Sequence, residues 1–166
     1  MKRTIIGIPV FVIMIAILLG VLQLLNWIPS AVQEGAFRRY TSIDEAKSHL
    51  HISPLLVPVY YPPSVRWPPS LIAAQTRPYT AVVMEFLNSG SGETGLVITQ
   101  TTLPHPPLEK KVRLAVVRET VKYAVKGSKA VLEVGGCSSG EQCSRIAWDE
   151  GSYRVSLIMK SSPVDL

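Results

Sequence analysis

The hydrophobic and polar positions divide the chain into one long apolar run and a series of short alternating segments. Residues 5–27, IIGIPVFVIMIAILLGVLQLLNW, carry no charge, and Gln23 and Asn26 are their only strongly polar side chains. A helix over that run would be roughly 34 Å long at about 1.5 Å per residue, against a hydrocarbon core about 30 Å thick, so the pattern predicts a transmembrane helix. Pro9 falls in its first turns, where a missing N–H costs least, and Trp27 falls where an interfacial aromatic would sit. Lys2 and Arg3 precede the run, whereas Gln33 and Glu34 follow it before Arg38 and Arg39. That asymmetry predicts a single-pass protein with residues 1–4 cytoplasmic and the remainder exported. A cleaved signal peptide is the alternative. Its apolar region would span about 7–15 residues, so an uncleaved anchor is favoured.

Residues 28–40 read as a connector, and residues 41–166 as one extracytoplasmic domain. SIDEAKSHL opens that domain with a capped helix. Ser42 can cap with its hydroxyl and Glu45 can return the bond, while Ile43, Ala46 and Leu50 share one face that should dock on a sheet. LLVPVYY, residues 55–61, contains a proline and predicts an edge strand or an extended segment. YYPPSVRWPPS then favours a stiff polyproline-like path.

Strand patterns dominate the rest. Residues 70–76 and 80–87 predict two strands. NSGSGETG is a turn, and residues 96–102 should pair antiparallel with the strand before it. LPHPP, residues 103–107, is a proline-stiffened break. Residues 108–118 fit a strand or a short helix, and their valines favour strand. Residues 120–125 and 130–134 flank the turn KGSK. Residues 145–149 and 153–159 form a last hairpin around Glu150 and Gly151. Ser162-Pro163 looks like the start of a further helix. The expected fold class is α+β: one N-terminal transmembrane helix, then a small domain with a mainly antiparallel twisted sheet and one short N-terminal helix.

Composition adds little to that picture. Hydrophobic residues make up 47% and charged residues 17%, and the net charge is +5. The basic residues are spread along the chain with no stripe or reading element, so nucleic acid is not an expected partner. The lipid bilayer, through residues 5–27, is.

Few residues carry candidate chemistry. Cys137 and Cys143 enclose SSGEQ between two strands. In an oxidising compartment a structural bridge is favoured there over free thiols, and a redox or metal pair is disfavoured by the spacing and by the shortage of ligands. His49 and His51, two apart on a helix, point in different directions, and His105 is remote. There is no G-x-S-x-G elbow, and no carboxylate pair is spaced for acid–base work. No catalytic residue, cofactor or metal is therefore expected. Tyr60, Tyr61 and Trp67, set among prolines, are either a surface for a partner or aromatics that hold the loop on the sheet. Packing is the commoner use.

With those motifs in view, residues 41–166 resemble a small bacterial family of unknown function. That family sits at the extracytoplasmic end of single-span membrane proteins, including anti-sigma-factor-like and sporulation-associated ones. The resemblance rests on SIDEAKSHL, VPVYYPPSVRWPP, VVMEFLNSGSGETGLVITQ, VKYAVKGSKAVL and WDEGSYRVSL. It implies a fold and a location, not a site. Direct anti-sigma activity is not implied, because no sigma-binding domain precedes the span. The function expected is a membrane-anchored binding or regulatory module facing outward, with an envelope or membrane protein, a lipid or a small ligand as partner. A subunit or assembly factor of a larger membrane complex is the first alternative, and an envelope hydrolase the second.

Overall fold

A computed structural model describes residues 13–23, 37–50, 54–77, 79–102, 112–125 and 127–160. Expectations for the flanks of the apolar run, residues 28–36, His51, residues 103–111 and Ser162-Pro163 lie outside them. The chain divides into two units, Met1–Phe37 and Arg38–Leu166.

In the first unit, helix α1 is described over residues 13–23. This corrects the expected transmembrane helix over residues 5–27. Among the described residues no helix is long and apolar enough to cross a membrane. The eleven described residues of α1 rise roughly 16 Å, about half of a hydrocarbon core. An apolar run bounds the length a helix can have without setting it.

The second unit contains β1 (Arg38–Tyr40), α2 (Ile43–Leu50), β2 (Leu71–Gln75), β3 (Ala81–Leu87), β4 (Thr94–Thr101), β5 (Leu114–Val125), β6 (Ser128–Cys137), β7 (Gln142–Glu150) and β8 (Tyr153–Met159). The eight strands form one sheet in the order β1-β2-β3-β4-β8-β7-β6-β5. Two antiparallel meanders, β1–β4 and β5–β8, meet where β4 pairs antiparallel with β8. The mainly antiparallel sheet and the short helix expected from the sequence are both present. The start of the domain differs from expectation. Arg38–Tyr40, expected at the end of the connector, pairs with Ala74, Ala73 and Ile72 of β2.

Helix α2 begins as its sequence predicts. The Ser42 hydroxyl accepts from the Glu45 N–H at 3.1 Å. The Glu45 carboxylate returns one residue earlier than expected: it accepts from the N–H and hydroxyl of Thr41, at 2.8 and 2.6 Å. Ala46 and Leu50 are buried in the main core, with Ile43 packed against it.

The cross-strand register explains where that core lies. Ile72, Met84, Ile98, Leu157, Ile146, Leu132 and Val121 stand opposite one another in sequence across β2, β3, β4, β8, β7, β6 and β5. Directly paired residues share a face, so these seven make one apolar row. The first three are buried and the last four half-buried. α2 and Leu55 close the core over the buried end. At the other end of the sheet, β5 is exposed over most of its length.

Candidate functional site: a proline-braced aromatic surface

Residues 54–70 cross the sheet without forming a strand. Pro58, Pro62, Pro63, Pro68 and Pro69 limit the shapes available to them. Their path is pinned at both ends. At the start, Gln100 uses both halves of its side-chain amide. Its Oε1 accepts from the Leu56 N–H at 3.0 Å, and its Nε2 donates to the Pro54 carbonyl at 2.8 Å. Gln100 is almost completely buried, so this pairing also satisfies a polar group that would otherwise be costly in the core. Leu55, between the two anchored residues, enters the core.

The far end is stitched to the β3–β4 turn. The Val65 N–H donates to the Pro62 carbonyl at 2.9 Å, closing a turn. The Arg66 N–H donates to the Leu87 carbonyl and the Ser89 N–H to the Ser64 carbonyl, at 2.8 and 2.7 Å. The Arg66 guanidinium reaches the Ser89 carbonyl at 3.1 Å, and the Ser70 N–H donates to the Glu85 carbonyl at 2.8 Å. The Trp67–Pro68 peptide bond is cis.

Between these anchors the aromatic residues divide into two roles. Tyr61 stacks on Trp67, with ring centroids 5.5 Å apart and planes 12° from parallel. Trp67 stacks in turn on Phe86 at 6.1 Å, and Phe86 is wholly buried. Tyr61 and Trp67 thus form a stack resting on the core, which is the packing role. Tyr60 stands apart at 80% exposure, beside Val59 at 102%. The structure places all three predicted aromatics on one segment, with Tyr60 and Val59 projecting from the base that the other two build. Val59 was not singled out from the sequence. Its neighbour Pro58 gave no signal of it, because proline stiffens the chain without indicating which side chains face outward.

The remaining candidates lie elsewhere. Cys137 and Cys143 are bridged, with Cα atoms 5.2 Å apart, at the β6–β7 turn. Close by, Lys160 reaches two carboxylates, Glu141 at 3.0 Å and Glu93 at 3.1 Å. The hydrogen bond from Lys160 holds the Glu141 carboxyl below its usual range, with help from the Ser139 hydroxyl. The same bond raises the Lys160 ammonium. This trio ties the β3–β4 turn, the β6–β7 turn and the end of β8 together. Sequence spacing gives no hint of it, since Glu93 and Lys160 are 67 residues apart. His49 packs beside Tyr40 with ring centroids 6.1 Å apart. Among the described residues no group of three or more His, Cys, Asp or Glu side chains could hold a metal ion.

Comparison of the chain with known protein families, with characterised proteins and with solved structures finds no match.

Proposed function

We propose that the chain is a lipid-associated binding or regulatory module, facing outward from the cell, that catalyses no reaction. Its partner is an envelope or membrane protein, which it meets through Val59 and Tyr60 on the base formed by Tyr61 and Trp67. The exposure of Tyr60 carries this proposal. A tyrosine next to a valine, both projecting from a segment whose backbone is already ordered, offers apolar contact area at little entropic cost on binding. Aromatic residues in such positions dominate the energetics of many interfaces.

Two further observations support the setting. Every large apolar residue of α1 is exposed, from Ile13 through Leu22. A helix that is apolar all round needs an apolar environment, and lipid supplies one without requiring that the helix span it. The Cys137–Cys143 bridge suits an oxidising compartment. The resemblance described above points to the same location.

Liposome flotation tests the lipid association. The full chain should float with vesicles, and a variant with Ile17, Leu18 and Val21 all changed to Ser should stay at the bottom of the gradient. If both float equally, α1 is not the lipid contact. Photocrosslinking from position 60 in intact cells tests the partner surface.

A further inference from the structure

The two edges of the sheet are built differently. The β1 edge is three residues long and carries Arg38 and Arg39, a short charged strand of the kind that resists further pairing. The β5 edge is twelve residues long and contains no proline. Its first half is irregular, since the register with β6 shifts between Leu114 and Val116 and again between Val117 and Glu119. From Glu119 to Val125 the pairing is regular, ending at Val125 opposite Ser128 across a two-residue turn.

That turn fixes which backbone groups are free. The residues flanking a two-residue hairpin loop exchange both of their hydrogen bonds, and bonding then alternates along the strand. Val125, Tyr123, Val121 and Glu119 therefore bond to β6. Thr120, Lys122 and Ala124 direct their N–H and C=O groups away from it. The two faces of this stretch also differ in chemistry. Val121 ends the apolar row of the sheet, and Tyr123, two residues on, shares its face and is 55% exposed. On the opposite face, Lys122 is exposed, and Lys129 is exposed opposite Ala124. Glu133 on that face is already taken by Arg145 at 2.7 Å. Among the described residues no ion pair reaches Lys122 or Lys129.

We propose that the β5 edge over residues 119–125 is a docking site for an extended segment of a partner protein that alternates apolar and acidic residues. Such a segment adds a ninth strand through the free groups of Thr120, Lys122 and Ala124. Its apolar side chains lie over Val121 and Tyr123, and its carboxylates lie beside Lys122 and Lys129. A second copy of this chain is the poorer occupant. Symmetric antiparallel pairing of two β5 strands centred on Val121 or Lys122 sets the two Lys122 side chains diagonal or opposite to each other, and like charges so placed repel. This surface is separate from the Tyr60 surface, so either can fail without the other.

Fluorescence anisotropy on the full chain in mild detergent, with a short labelled peptide of alternating Val and Glu, tests the proposal. Saturable binding is expected. Lys122→Glu should weaken it about tenfold or more, because it replaces an attraction with a repulsion. Lys122→Pro removes an outward N–H but no bond to β6, a position where edge strands accept proline, and should abolish binding with the melting transition kept. A Val and Lys peptide should not bind. The proposal is overturned if the Val and Glu peptide shows no saturable binding. It is overturned equally if Lys122→Glu binds as the unchanged chain does, or if the Val and Lys peptide binds equally. Concentration-dependent self-association that Lys122→Pro abolishes would show that the edge takes a second copy instead.

Discussion

Gly135 of β6 lies directly against the Val116 carbonyl of β5. A Cβ built on Gly135 would overlap the Val116 carbonyl oxygen and stand 2.9 Å from its carbonyl carbon. The crowding falls where β5 shifts register, with Val116 opposite Gly136 and Val117 opposite Gly135. The irregular strand crosses its neighbour more closely than any side chain permits, and both atoms belong to the backbone, so neither can swing aside. Gly135→Ala should cost about 2 kcal/mol or more. Urea unfolding should show a lower midpoint at unchanged slope.

Gln100→Leu is expected to release residues 54–57 from the sheet. Leucine fills most of the space but leaves the Leu56 N–H and the Pro54 carbonyl without their partner. Each lost hydrogen bond is worth about 1 kcal/mol, and a desolvated backbone group left unpaired costs somewhat more. Limited proteolysis should cut near Val57 in the variant well before it cuts the unchanged chain, and equal cutting would remove Gln100 from this role.

Ser42→Ala should lower stability by about 1 kcal/mol through the lost cap of α2. Glu45→Gln should cost less, because glutamine can still accept from Thr41. Thermal melting of the two variants beside the unchanged chain gives the order directly.

Acid should lower the stability of the sheet domain modestly through three solvent-accessible carboxylates held below their usual range. Glu141 is lowered chiefly by the hydrogen bond from Lys160, Asp149 by that from Arg154, and Glu45 by that from Thr41. A carboxyl depressed in the folded state contributes stability that is present above its unfolded value and is lost as pH falls through its folded value. Stability should therefore hold from neutral pH to about 5 and decline below about 4. Lys160→Met removes the main cause for Glu141. Its difference from the unchanged chain should be largest near neutrality and shrink below about pH 4, as seen by urea unfolding at several pH values. A difference independent of pH would mean that Lys160 acts through packing alone.

Much of the sheet was legible in the sequence, and the exceptions share a cause. Residues 80–87 and 153–159 carry dense β-branched and aromatic residues, and they became β3 and β8 within a residue of expectation. Ser42 and Glu45 announced α2 because a cap is a local signal. Gln100 was not legible. In LVITQTT alternation puts it on the face of Leu96 and Ile98, but a lone polar residue there does not say what meets it, and it is buried beneath a segment whose passage only the tertiary fold reveals. The aromatic cluster was visible as residue types. Which of Tyr60 and Tyr61 faces outward was not, since an extended proline-rich path has no fixed side to bury. The long apolar run misled in a different way, because apolar composition favours a helix without fixing its ends.

The outward position of Tyr60 is the claim on which the functional proposal depends. Tyr60→Ala should leave stability within about 0.5 kcal/mol, as an exposed residue allows, whereas Trp67→Ala should cost about 2 kcal/mol by breaking the stack on Phe86. The most direct measurement is site-specific photocrosslinking in intact cells, with the reactive side chain at position 60 and a control at Ser139. The account predicts one discrete adduct from position 60, lost when Val59 is changed to Asp, and none from position 139. No adduct at position 60, or the same set of adducts from both positions, would contradict it.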